Sequence, residues 1–84
     1  MKKTKKILQD LQNGLAKNDL DFVQGTGTFQ GGYCIINDNP VVVINRKRPA
    51  EEQIHILATV FKEQELNMSV LKKETILFIQ RFMS

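Results

Sequence analysis

Cys34 and His55 are the only cysteine and the only histidine in this 84-residue chain, so a thiol nucleophile would depend on that one imidazole. Such catalysis needs the base within hydrogen-bond reach of the thiol. Cys34 lies in an extended stretch between Tyr33 and Ile35, whereas His55 falls on the polar face of a helix with Glu51, Glu52, Thr59, Lys62 and Glu63. A transition-metal centre takes three or four converging ligands. One histidine and scattered carboxylates do not supply them, and Glu51 with His55 at i,i+4 reads as a solvated helix-face pair. Carboxylates for general acid–base work must converge in a cleft. Glu51, Glu52, Glu63 and Glu65 are instead expected on one short helix, mostly facing water.

Gly25-Thr26-Gly27, with Gly31-Gly32 beyond, has the composition of a phosphate loop. That loop needs a helix N-terminus after the glycines, so that helix amides point at the phosphate. Here a strand follows. The pattern reads as a hairpin turn, then a glycine pair at a bulge or close backbone approach. The expectation is a chain that is not an enzyme, with no catalytic, cofactor-binding or metal-ligating residues.

The net charge is +3, and basic residues cluster at Lys2-Lys3-Thr4-Lys5-Lys6, at Arg46-Lys47-Arg48 and at Lys72-Lys73. Arg46, Lys47 and Arg48 follow a strand and could touch phosphates. Phe29 and Tyr33 could stack bases as sheet-based single-strand binders do, or pack with Ile35 in the core. The aromatic-basic pattern of RNA-recognition strands is absent. Nucleic-acid binding through Arg46, Lys47 and Arg48 is therefore the alternative reading.

The elements that must position these residues fit one domain, residues 1–84. A hydrophobic content of 42% with 25% charged residues suits a folded domain. A lone cysteine favours a reducing compartment. The residues after the basic start include no apolar signal region, and no apolar run approaches the roughly 18–20 residues of a membrane span. A cytoplasmic location without membrane contact is expected.

Ile7, Leu8, Leu11 and Leu15 recur at helical spacing and predict a helix over 3–17, weakened by Gly14. Strands are predicted at 20–24, 28–36 and 41–44, with Asn37-Asp38-Asn39-Pro40 as the turn before the third. Pro49 suits the first position of a second helix, with Glu51 and Glu52 in its first turn and Ile54, Ile56, Leu57, Ala58, Val60 and Phe61 on one face. Asn67 or Ser69 can cap a third helix running to about Phe82, whose main apolar face is Leu71, Ile76, Phe78, Ile79, Phe82 and Met83. The expected class is α+β: an N-terminal helix, a three-stranded antiparallel β-meander and two C-terminal helices.

Val70 and Leu77, seven residues apart, are expected opposite that main face, among Lys73, Glu74 and Arg81. This second stripe predicts self-association, so a homodimer or a small protein partner is the expected contact.

Two resemblances follow. Val42-Val43-Ile44-Asn45, a short loop, then a helix carrying Ile56-Leu57-Ala58 resembles the strand–helix core of ImmA/IrrE-type zinc peptidases, over about residues 41–63. In that family the helix continues into H-E-x-x-H, two histidines for zinc and a glutamate as base. Here Thr59 and Glu63 occupy the histidine positions and Val60 the glutamate position, so the resemblance implies a zincin-like scaffold without its metal centre. Gly31-Gly32-Tyr33-Cys34 before the Ile-Asn strand is similar to small uncharacterised bacterial α+β proteins, which implies a fold and no activity.

Overall fold

The computed structural model describes residues 2–28 and 31–83. Three helices, α1 (Lys2–Lys17), α2 (Ala50–Glu63) and α3 (Lys73–Met83), accompany three strands, β1 (Asp21–Gly25), β2 (Gly31–Ile36) and β3 (Asn39–Asn45). The class is α+β, and none of these helices is long and apolar enough to cross a membrane.

The sheet is not an antiparallel meander. Its order is β1-β3-β2, with β3 central, antiparallel to β2 and parallel to β1. The physical reason lies in β3 itself. A central strand is best filled by a near-continuous apolar run. Val41-Val42-Val43-Ile44 is such a run, whereas β2 opens on two glycines and leaves Ile35 and Ile36 exposed. The segment after β1 therefore crosses the end of β3 rather than turning straight back, so Gly25-Thr26-Gly27 is no hairpin turn. Buried Asn45 holds this crossing: its side-chain amide donates to the Gly27 carbonyl at 2.9 Å, and its Oδ1 accepts from the Lys47 N–H at 3.0 Å.

The hairpin that does form joins β2 to β3 through Asn37 and Asp38, with φ of 52° and 68°. Positive φ at both central positions suits the right-handed twist of the flanking strands. Thr28, expected in β2, lies outside that strand, and Phe29 lies outside the described residues.

Alternation along the strands places Phe22, Tyr33, Val42 and Ile44 on one face, where they join the core with the helices. Ile7, Leu11 and Leu15 of α1 and Ile54, Leu57 and Phe61 of α2 are buried there. Burying each such side chain contributes about 1.5–3 kcal/mol. Val23, Val43, Cys34 and Ile36 share the other face and stand outside that cluster.

Pro49 is the residue before α2, with φ −56° and ψ 151°, rather than its first helical residue. Both α1 and α2 end alike. Leu20 N–H bonds to the Leu15 carbonyl and Leu66 N–H to the Phe61 carbonyl, with Asp19 (φ 62°) and Glu65 (φ 51°) in the left-handed position. Glu65 therefore follows α2 instead of belonging to it. α3 also starts later than expected. Asn67 accepts from the Ser69 N–H and caps a short 3₁₀ turn, Met68–Val70, before the helix begins at Lys73. Val70 thus does not lie on α3, and it packs against the core. The Val70–Leu77 stripe does not form.

Gly14 is the close approach that lets α1 meet this segment. A Cβ there would come within 2.7 Å of Leu71 Cδ2 and 2.9 Å of Phe61 Cζ. Gly14→Leu should cost about 2 kcal/mol or more by overpacking, with Gly14→Ala less harmful because about 1 kcal/mol of helix propensity offsets it. Glu65→Gly should raise stability by up to about 1 kcal/mol, since glycine adopts the left-handed conformation without Cβ strain. Urea unfolding of the three variants checks both expectations.

Candidate interaction surface

Arg46, Lys47 and Arg48 sit in the turn after β3. Arg48 is half-buried, its guanidinium 3.5 Å from the Glu52 carboxylate, and its carbonyl accepts from Gln53 Nε2 at 2.8 Å. Arg46 and Lys47 are exposed. The trio is therefore not a uniform phosphate-facing row, because one member is engaged with α2.

Cys34 is exposed on the outer sheet face, its Sγ 3.9 Å from the Gly32 carbonyl. His55 is exposed on α2, as its helical phase predicts, and meets the edge of Phe82 with ring centroids 6.3 Å apart. Thr59 donates its hydroxyl to the His55 carbonyl at 2.7 Å, Glu63 is exposed, and Val60 is buried in the core. Among the described residues no group of three His, Cys, Asp or Glu side chains is placed to hold a metal ion.

What the fold does assemble lies on α1 and α3. A groove of about 690 Å³ is lined by Lys3, Lys73, Glu74, Leu77, Phe78, Arg81 and Phe82. Leu77 is 52% exposed and Phe82 is 37% exposed. Phe78 and Phe82, one turn apart, stack with centroids 5.6 Å apart and an interplanar angle of 24°. Next to it, a polar cleft is lined by Lys6, Asp10, Asn13, Lys72, Glu74 and Thr75, among others. Two of the three basic clusters in the sequence thus converge, joined by Arg81.

Asp10 explains the convergence. It is buried on α1, and its Oδ2 accepts from the Lys72 backbone N–H at 2.8 Å. A carboxylate beside the first turn of α3 satisfies a donor that the helix cannot pair and complements its dipole. At the far end of α1, Asn18 donates to the Asn67 carbonyl at 3.3 Å and accepts from its N–H at 2.9 Å. These contacts clamp the segment leading into α3, which brings Lys3 and Lys6, near the start of the sequence, to one surface with Lys72 and Lys73.

Helical spacing alone puts Phe82 on the buried face of α3, yet it is exposed. The signal for this surface is the i,i+4 pair Phe78–Phe82 interleaved with Leu77 and Arg81. No family model, curated protein or solved structure matches the chain. The fold is that of a small α+β domain with helices on one sheet face, and the groove is an apolar surface rimmed by Lys3, Lys73, Arg81 and Glu74. Leu77→Gln should change stability by less than about 0.5 kcal/mol, whereas Ile79→Ala, two residues on and buried, should cost about 2–5 kcal/mol. Chemical denaturation of the pair checks that α3 divides into an outer and an inner face.

Proposed function

We propose that this chain is a non-enzymatic interaction domain that captures an amphipathic protein segment carrying acidic residues in the groove between α1 and α3. The observation that carries the reading is the combination of half-exposed Leu77 and Phe82 with Lys3, Lys73 and Arg81 around them. An apolar helix face would cover the Leu77–Phe78–Phe82 floor, and carboxylates on its flanks would meet the cations. Uncovered aromatic surface beside fixed charge is the composition of a contact site. Zinc-peptidase chemistry is not part of this reading, because the positions that hold ligands and base in those enzymes carry a hydroxyl, a carboxylate and a core valine here. Leu77, which the sequence suggests as a self-association residue beside Val70, is assigned in this reading to the floor of the groove instead.

A second reading, nucleic-acid binding, is favoured by the gathering of Lys3, Lys6, Lys72, Lys73 and Arg81 rather than by Arg46, Lys47 and Arg48. The two readings differ in what they need from the apolar floor. Titration by fluorescence anisotropy should show saturable binding of an acidic amphipathic helical peptide, lost in Leu77→Glu and in a peptide whose apolar positions are scrambled. Tight binding of a single-stranded oligonucleotide that falls steeply with salt, and that survives Leu77→Glu, would replace this proposal with the second reading.

A further inference from the structure

The outer edge of β2 is open: among the described residues β2 pairs only with β3. Edge strands normally carry a lysine, a proline or an inward charge that prevents pairing with another chain. Gly31-Gly32-Tyr33-Cys34-Ile35-Ile36 carries none of these. The other edge, β1, begins with Asp21, so the two edges are not equivalent. Ile35 and Ile36 at the end of β2 are 65% and 50% exposed. We propose that β2 is a self-association edge, on which a second copy of this chain adds its own β2 antiparallel about a two-fold axis at Cys34.

The register follows from the hairpin. A two-residue turn closes on a hydrogen-bonded pair, here Ile36 with Asn39, so Cys34–Val41 and Gly32–Val43 are hydrogen-bonded pairs as well. The backbone groups of Tyr33 and Ile35 therefore point away from β3, toward the open edge. Gly31 and Gly32, with φ of 102° and 133°, depart from regular strand geometry, which leaves Tyr33–Ile36 as the regular stretch. Centring an antiparallel pair on Cys34 sets Tyr33 opposite Ile35 of the second copy, twice, and satisfies four N–H donors and four carbonyls. Tyr33 with Ile35 is an aromatic–β-branched cross-strand pair, a favourable combination.

The other face fits equally well. The same register sets Ile36 opposite Gly32, where a Cβ position meets nothing within 4 Å. A large exposed side chain thus fills the space that a glycine leaves open, and two-fold symmetry makes the fit reciprocal. With no charge on the strand, self-pairing brings no like charges together. The product is a continuous six-stranded sheet in which both protomers keep their helices on one face.

This inference is independent of the α1/α3 groove and is tested separately. Sedimentation equilibrium of the full chain from about 10 μM to about 1 mM suits an interface at the small end of the size range. Wild type should show a monomer–dimer equilibrium. Ile35→Lys and Ile36→Lys both replace exposed side chains and should keep the native circular dichroism, while raising the dissociation constant about tenfold or more. Because the two Cys34 Cα atoms would lie about 4.5 Å apart, a short bismaleimide should join wild-type chains rapidly and the lysine variants slowly. A wild type that is monomeric throughout overturns the proposal. So does a dimer that both folded lysine variants retain, one that Leu77→Glu abolishes while they keep it, or an assembly larger than a dimer.

Discussion

Val42 and Ile44, fully buried on the central strand, are the contact on which the two layers of this domain depend. They share one buried cluster with Ile7, Leu11 and Leu15 of α1 and with Ile54, Leu57 and Phe61 of α2. A chain of this length buries only roughly 60% of the surface that its unfolded form exposes. It can cover one sheet face and little more. The large apolar side chains left exposed among the described residues are Leu77 and Phe82 on the outside of α3, Ile35 and Ile36 at the end of an edge strand, and Val23 on the outer sheet face. These surfaces follow from the same economy of size.

The three helices are legible in the sequence because their burial is periodic. Ile7, Leu11 and Leu15 recur every turn, and the buried face of α2 matches its 3.6-residue pattern. The existence of β3 and the turn at Asn37-Asp38 are legible too, from β-branched density and turn chemistry. Strand order is not. Short strands joined by short loops suggest a meander, and only the continuous apolar character of Val41–Ile44 hints that β3 belongs in the middle. The start of α3 is also hidden, because Asn67 caps a 3₁₀ turn that ends before Lys73. The stripe joining Val70 to Leu77 fails for that reason: helical phase carries no meaning across a break in the helix.

The groove between α1 and α3 is less legible still, since it depends on contacts between distant segments. Asp10 meeting the Lys72 N–H, and Asn18 meeting Asn67, bring the N-terminal lysines beside Lys72, Lys73 and Arg81. Composition shows the basic residues but cannot show that two clusters share one surface. Arg48 illustrates the converse. It stands in the most concentrated basic run of the middle segment, yet its side chain pairs with Glu52. Adjacency in sequence is a poor guide to which charges act together.

The placement of β3 between β1 and β2 underlies the core, the crossing held by Asn45 and the open edge of β2. Residue-resolved amide hydrogen exchange in dilute solution tests it most directly. The account expects Val41, Val42, Val43 and Ile44 all to be protected, Cys34 and Ile36 to be protected through β3, and Tyr33 and Ile35 to exchange freely. Strong protection of Tyr33 and Ile35 at concentrations too low for association, with alternate residues of β3 exposed, would contradict it.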